Sequence, residues 1–222
     1  MARRVLEIIA AVALGIIIVV VVFVVLDRGD RADAPIRSSS TLPLASPIDP
    51  GTFLEAWERS LTGNYAVVGT VERTRGAQRE VYNRRQARLD GDSVEQTGRT
   101  AVVIRDGQRQ ICEVFAANDI RCGPAEAALT STAEYESVAA LFAVDGLYEV
   151  YAVDEPECFV VSGRRPVGIG AAFGQQTSVC FDQLTGALAN YQEDTGDNRE
   201  IFVADSISAD VSPADLEPTF ER

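Results

Sequence analysis

The chain has 222 residues, and its 20 basic residues are all Arg, against 33 acidic residues and no His. Without His or Lys, the sequence excludes Ser-His-Asp and Cys-His catalysis, imidazole metal ligands, Schiff bases and the lysine of phosphate-binding loops. The net charge of −13 argues against a nucleic-acid partner, because phosphate binding needs a basic surface. Paired carboxylates are the catalytic groups that remain, but a single Trp gives little support for a glycosidase cleft. We therefore predict a protein that is not an enzyme and that uses no cofactor and no metal.

The first predicted element is a transmembrane helix over residues 5–26, preceded by a cytoplasmic tail of residues 1–4. Twenty of these 22 residues are apolar, and the uncharged run from Ile8 to Leu26 has 19 residues. That length crosses a hydrocarbon core of about 30 Å as a helix. The alternative is a cleaved signal peptide, whose apolar region is shorter and ends at small residues. Because this run ends at Leu26-Asp27-Arg28, we favour an uncleaved signal anchor.

The orientation of the anchor is predicted from two signals. Arg3 and Arg4 favour a cytoplasmic N-terminus, although Arg28, Arg31 and Arg37 on the other side make the charge count indecisive. All four cysteines lie in the C-terminal part, and an even number is typical of disulfides in an oxidising compartment. Together these signals predict a single-pass protein of the cell membrane, with its N-terminus cytoplasmic and its C-terminal domain extracytoplasmic.

Residues 27–50 are predicted to form a disordered linker, because they hold four of the nine prolines and a Ser-rich run without apolar periodicity. Residues 51–222 form the predicted globular domain. The domain begins with a predicted helix that Thr52 caps, in which Phe53, Trp57 and Leu61 form an apolar face. Gly63 ends this helix, and the apolar period then changes to two.

An antiparallel sheet is predicted for the rest of the domain. Asp106-Gly107 between two apolar strands indicates a hairpin, because both residues tolerate the positive φ of a tight turn. A second helix is predicted over 133–144, with Val138, Leu141 and Phe142 on one face. The predicted strands are 65–71, 80–89, 101–105, 108–115, 147–153, 157–161, 177–182, 187–191 and 199–207. This order predicts an α+β fold with an antiparallel sheet and short turns.

The cysteines have three possible connectivities, and local pairing is favoured. Cys112 and Cys122 flank a turn, while Cys158 and Cys180 lie on neighbouring predicted strands. A redox pair usually has Cys-x-x-Cys spacing, which neither pair shows, and zinc is disfavoured for the same reason. We therefore predict two structural disulfides.

Two loops have compositions that suggest other sites. The segment 193–198 is acidic like a calcium loop but lacks the ligand pattern that ends in Glu, so a hairpin turn is favoured. The Gly-rich segment 168–174 lacks dinucleotide-binding spacing. Its apolar residues are compatible with a lid, a membrane contact or a buried loop, and the sequence does not decide among these.

The order of the elements resembles the lipoprotein-carrier (LolA-like) half-barrel superfamily, which includes RseB-like regulators. The specific stretch is Val179-Cys-Phe-Asp182, Leu184-Thr-Gly186 and Glu200-Ile-Phe-Val203, similar to the late hairpin of the family. The hairpin at Asp106-Gly107 and the segment 211–218 resemble two further elements. The resemblance implies a curved antiparallel sheet (a half-barrel) covered by helices, with an apolar cavity for acyl chains.

The resemblance implies a function in binding, because such proteins carry lipoproteins or glycolipids or sense mislocalised lipoproteins. We predict a membrane-anchored extracytoplasmic module that binds a lipid or a lipidated ligand such as a lipoprotein. The alternative is a protein-interaction or sensor module with a protein partner in cell-envelope signalling. The candidate cavity-lining residues are Val67, Val103, Leu141, Phe142, Val150 and Phe159.

Overall fold

The computed structural model of the chain describes residues 46–143, 146–167, 171–194 and 198–219. The predicted tail, the predicted membrane helix over 5–26 and the linker as far as residue 45 lie outside the described residues, and so remain predictions. Within the described part, no helix is long and apolar enough to cross a membrane.

Two α-helices and twelve strands are assigned among the described residues. Helix α1 spans Gly51–Thr62, helix α2 spans Ser131–Ala140, and a 3-10 turn covers Pro213–Leu216. The strands are β1 (Tyr65–Arg75), β2 (Gln78–Leu89), β3 (Asp92–Thr97), β4 (Thr100–Arg105), β5 (Gln108–Ala116), β6 (Asp119–Cys122), β7 (Glu126–Ala127), β8 (Tyr148–Ala152), β9 (Cys158–Gly163), β10 (Gln176–Phe181), β11 (Leu188–Asp194) and β12 (Asn198–Ser208).

The strands form one curved antiparallel sheet in the order β6-β5-β4-β3-β2-β1-β12-β11-β10-β9-β8, and β7 pairs with β5. The pairing of β1 with β12 brings the first and last strands together and joins two meanders. The predicted α+β class and antiparallel sheet are confirmed. The sequence pattern misses β3, β6 and β7, because these strands have only six, four and two residues and are largely polar.

The pairing register assigns each residue to one of two faces, because directly opposed residues point to the same side of a sheet. We call the face that contacts α1 the helix face and the opposite one the outer face. Val68 and Thr70 of β1 lie on the outer face. A row on the helix face crosses five strands and contains Val71, Phe202, Tyr191, Val179 and Phe159.

Aromatic rings fill the space between α1 and the helix face of β8–β10. The Phe53 ring of α1 is fully buried, and its centroid lies 5.2 Å from that of Phe142 and 5.5 Å from that of Phe159. Further rings in contact with Phe53 belong to Trp57, Phe173 and Phe181. Aromatic side chains bury large areas, so this cluster dominates the core of that half of the domain.

Both helices begin at different residues from those predicted. Thr52 lies inside α1, and the first turn is stabilised instead by Asp49, whose Oδ1 accepts a hydrogen bond from the Gly51 N–H at 2.8 Å. Helix α2 starts at Ser131 rather than 133, because the Thr130 hydroxyl caps it, and it ends at Ala140 rather than 144.

The ordered domain begins before the predicted boundary at residue 51. The Ile48 N–H donates to the Val150 carbonyl at 2.8 Å, and Ile48 packs against the aromatic cluster. The last residues of the predicted linker therefore belong to the folded domain and pair with β8 at the edge of the sheet.

The structure confirms both predicted disulfides. Cys112 pairs with Cys122 across β5 and β6, and Cys158 pairs with Cys180 across β9 and β10. Both bridges join directly opposed residues of the outer face, and each lies close to one edge of the sheet. In the chain-entropy view, loops of this length give about 3 kcal/mol of stability each.

The turn between β10 and β11, the most specific part of the resemblance, packs against the end of α1. The Asp182 Oδ1 atom accepts hydrogen bonds from the Thr185 N–H at 2.8 Å, the Thr185 hydroxyl at 2.7 Å and the Leu184 N–H at 3.2 Å. Gly186 follows with φ +74° and contacts the Arg59 backbone of α1. The turn therefore positions the helix on the sheet.

The Asp182 carboxylate is expected to make stability depend on acidity. The Thr185 hydroxyl, followed by the two N–H donors, holds the pKa of Asp182 below its ordinary value. A depressed folded pKa gives stability that is present above the unfolded value of about 4 and is lost as the pH falls. Asp182→Asn is expected to remove this contribution, so the difference in Tm between parent and variant should shrink progressively as the pH falls from about 5 to about 2. A constant difference in Tm across that range would contradict the assignment.

Candidate functional site

The helix face of β2–β5 forms a candidate site beside α2. The pairing places Gln86, Glu95, Val102 and Ile111 in one row across the four strands. The next row contains Arg88, Ser93, Ile104 and Arg109. We call these eight residues, together with Arg84 on the same face of β2, the helix-face site.

An aliphatic corner occupies the β4 and β5 side of the helix-face site. Val102 directly opposes Ile111, and Ile104 lies two residues along the same strand. All three side chains are half-buried, and none of them belongs to the three buried clusters of the core or to the side chains packed against those clusters. This corner is therefore apolar surface that the core of the domain leaves incompletely covered.

Arg84 supplies a largely buried cation on the β2 side. Its side chain is 13% exposed, its Nη2 lies 3.0 Å from the Glu95 carboxylate, and its guanidinium lies 4.9 Å from the centroid of the Phe202 ring. The Arg84 Nε atom is buried and has no hydrogen-bond partner in the described structure. A buried donor without a partner is unusual in a folded protein.

Arg88 is the second cation of the site and also has a buried Nε without a hydrogen-bond partner among the described residues. Burial raises the pKa of the Tyr65 hydroxyl, and the nearby Arg88 guanidinium opposes this shift. Burial also raises the pKa of Glu134 on α2. The Arg88 charge opposes this rise, and the Glu95 charge adds to it. Glu134 therefore lies on the helix side of the site, within electrostatic reach of both charges.

A second group of polar side chains continues this face onto β11 and β12. The Tyr191 hydroxyl donates to Glu193 at 2.6 Å, and Glu193 directly opposes Glu200, which accepts from Arg73 Nε at 2.7 Å. Burial raises the pKa of Glu193, and burial together with the Glu193 charge raises the pKa of Tyr191. One half of the helix face is thus filled by aromatic rings, and the other half carries charged side chains.

The side chains of the helix-face site can hold both an acidic group and an alkyl group. Guanidinium groups donate to carboxylate or phosphate oxygens in a planar fork, and aliphatic side chains stabilise alkyl groups by removing their surface from water. A ligand that matches both parts has an acidic group and an alkyl chain.

The structure distributes the six predicted cavity residues over three clusters. Phe142, Val150 and Phe159 are buried in the aromatic cluster, and Leu141 packs against it. Val67 lies in a second cluster under β1, also on the helix face. Val103 is not brought together with them, because its register places it on the outer face, against the C-terminal segment. Whether the others line an open cavity remains a prediction.

The sequence pattern does not single out the helix-face site. Strand β2 has charged residues on both faces, so before the register is known Arg84 and Arg88 look no different from Arg85, which lies on the outer face. The one available signal is that β4 is apolar on both faces, as in Ala101-Val-Val-Ile104, which indicates that neither face of this strand is simply solvated.

The structure also locates the Gly-rich segment and a group of Glu155, Cys158 and Cys180 that the sequence does not single out. Phe173 of the Gly-rich segment is buried in the aromatic cluster, which supports the buried-loop alternative for that part, while residues 168–170 lie outside the described structure. Glu155 lies beside Cys158 and Cys180, but both sulfurs are in a disulfide and offer no thiolate to a metal.

No family model matches the chain, and no curated protein matches it. Solved structures do show a similar arrangement. Crystal structures of MucB in complex with MucA(peri), a LolA superfamily protein from Nitrosomonas europaea and LprF from Mycobacterium bovis are 16%, 6% and 14% identical to the chain, with TM-scores of 0.43, 0.34 and 0.35. The matches cover 77%, 76% and 76% of this chain and 60%, 97% and 97% of those chains. One of these three structures is described as a LolA superfamily protein.

Proposed function

We propose that the domain is a non-enzymatic binding module that holds an amphiphilic ligand, a lipid or the lipid-modified part of a lipoprotein, on the helix-face site. The observation that carries this proposal is the juxtaposition of an aliphatic corner outside the packed core with two arginines whose buried Nε atoms have no hydrogen-bond partner.

The aliphatic corner supplies the apolar part of the binding energy. Val102, Ile104 and Ile111 are adjacent in the sheet, so an alkyl chain lying across β4 and β5 contacts all three. Removing apolar surface from water is worth about 25 cal/mol per Å². An alkyl chain therefore gains affinity here without displacing any residue of the aromatic cluster.

The arginines supply the polar part. Arg84 is paired with Glu95, whose side chain is 47% exposed, so the acidic group of a ligand competes with a solvated carboxylate for the guanidinium. The Glu95 side chain can move into water at little cost because it is already partly exposed. An oxygen of the ligand then replaces the Glu95 carboxylate as the acceptor. This oxygen reaches the guanidinium of Arg84 or Arg88 from the side of the aliphatic corner.

The predicted membrane anchor supports the same function. A helix over residues 5–26 followed by a linker to residue 45 would hold the domain beside a bilayer on the extracytoplasmic side, where lipids and lipoproteins are present. The placement of this anchor is part of the proposal.

The proposal is tested by titrating the full chain in a mild detergent with dansylaminoundecanoic acid, an acidic amphiphile whose fluorescence reports an apolar environment. Val102→Asp is expected to weaken the affinity at least tenfold, because it places a charge in the aliphatic corner. Val203→Asp is the matched control. Val203 is 46% exposed on the outer face, so this variant should bind like the parent.

Three outcomes would contradict the proposal: no saturable binding, equal affinity in Val102→Asp and the parent, or equal loss in both variants. Val102→Ala serves as a milder second variant if Val102→Asp melts at a much lower temperature. It should weaken binding severalfold with the fold intact. An uncharged dansyl alkyl alcohol is expected to bind the parent less tightly than the acid does. To Arg88→Gln, the alcohol and the acid are expected to bind with similar affinity.

A second candidate function is recognition of a protein partner in cell-envelope signalling. The observation that favours it is the ring-filled space beneath α1, since a solid interior leaves the surface as the place for a partner. Crosslinking of the full chain in native membranes would then yield one dominant protein, and the amphiphile would not compete with it.

A further inference from the structure

The C-terminal segment 211–219 lies across the outer face of β2–β4, where three side chains of the sheet hold it. Arg85 donates to the carbonyls of Asp215 at 2.6 Å and Glu217 at 2.5 Å. Arg105 donates to the carbonyl of Leu216 at 3.1 Å and pairs with the Glu217 carboxylate at 2.7 Å.

Gln96 makes the most specific contact with the segment. Its side chain is 2% exposed, its Nε2 donates to the Thr219 carbonyl at 2.6 Å, and its Oε1 accepts from the Thr219 N–H at 2.8 Å. A side-chain amide that binds both main-chain groups of one residue imitates the pairing of a neighbouring strand. This geometry recognises an extended peptide whatever its sequence at that position.

One side chain of the segment is anchored in an apolar groove. Leu216 is 6% exposed and, with Val211 beside it, packs on the outer face. The buried residues that form the groove are Ala87, Val94, Ala101, Val103 and Cys112. The groove lies on the face opposite the helix-face site, so occupation of one does not block the other.

We infer that this outer-face groove is a peptide-binding site that the C-terminal segment of the chain occupies in cis. The ligand class is an extended peptide with a large aliphatic residue at the position of Leu216 and an acidic residue after it. Main-chain groups receive most of the polar contacts, so a partner segment of this chemistry makes the same bonds once the chain's own segment leaves. Segment 211–219 competes with such a partner at a high effective concentration, because it belongs to the same chain.

Hydrogen exchange on the full, unmodified chain in a mild detergent tests the first requirement, which is that the segment opens while the sheet stays folded. The Thr219 amide is expected to exchange at least a hundredfold faster than the central amides of β2 and β3, with a weaker dependence on denaturant. Equal rates and equal denaturant dependence would show that the segment leaves only when the domain unfolds, which would overturn the inference.

Fluorescence anisotropy tests the second requirement, with a labelled peptide that has the sequence of residues 211–219. The full chain carrying Leu216→Ala is expected to bind this peptide at least tenfold more tightly than the parent, because its own segment competes less well. Leu184→Ala is the matched control: Leu184 is 86% exposed and distant from the groove, so this variant should bind like the parent. A peptide with Asp in place of the leucine should not bind.

Equal binding of the peptide to Leu216→Ala and to the parent, or no binding to either, would contradict a peptide site. Adding Gln96→Ala to the Leu216→Ala chain should abolish the gain, because it removes the amide that pairs with the peptide main chain. If Leu216→Ala does not fold, the exchange measurement on the parent can still overturn the inference.

Discussion

Phe53→Ala is expected to lower the free energy of unfolding by about 3–5 kcal/mol, the range for truncating a buried Phe. Phe53 is fully buried at the centre of the aromatic cluster, where its ring contacts those of five other residues. Rigid strands on one side and α1 on the other prevent collapse into the space that remains. For a domain of this size, the loss corresponds to a fall in Tm of roughly 6–20 °C.

Thermal and urea unfolding followed by circular dichroism measure this effect, with Phe115→Ala as the control. Phe115 is 37% exposed and lies against the guanidinium groups of Arg99 and Arg121, outside the aromatic cluster. The control should lose no more than about 1 kcal/mol, the scale of exposed cation–π contacts. Similar losses in both variants would show that the ring cluster is not the main core of the domain.

Gly186→Ala is expected to destabilise the domain by about 2–4 kcal/mol through two separate effects. Gly186 has φ +74°, a conformation that alanine adopts only with strain. In addition, a Cβ atom at this position would lie 2.8 Å from both the carbonyl carbon and the Cβ of Arg59, and 2.9 Å from the Arg59 carbonyl oxygen. These are atoms of α1, so relief of the clash moves the helix away from the sheet.

Gly107→Ala separates these two effects. Gly107 has nearly the same backbone angle, φ +70°, but a Cβ there meets nothing within 4 Å. This variant should lose only the conformational part, about 1–2 kcal/mol. Comparable losses in the two glycine variants, measured by urea unfolding, would refute the conclusion that close helix–turn packing requires Gly186.

The parts of the fold that the sequence predicts correctly are those with local signals. Asp106 and Gly107 have φ values of 50° and 70°, as the predicted tight turn requires, and the cysteines pair with their nearest partners in the sheet. Helix α1 ends at Thr62 before Gly63, because its apolar face and its terminator are both local.

The parts that the sequence does not predict depend on register and on distant contacts. Val103 lies in a strand that is apolar on both faces, so its assignment to the outer face needs the pairing with Val94. Strand β3 is not predicted because it has few apolar residues. Gln96 has the character of a solvent-exposed residue, and only the contact with the C-terminal segment shows that it is buried. The sequence does not predict the helix-face site for the same reason, because the side chains that surround its arginines come from α2 and β3.

The two disulfides also determine what a protease can release from the domain. A single cut between Cys112 and Cys122 leaves the two pieces joined through sulfur, and a single cut between Cys158 and Cys180 does the same. The second loop encloses the described residues 164–167, so a cleavage there leaves one covalent molecule. On a gel without reducing agent such a nicked protein migrates as one species, and only reduction separates its fragments.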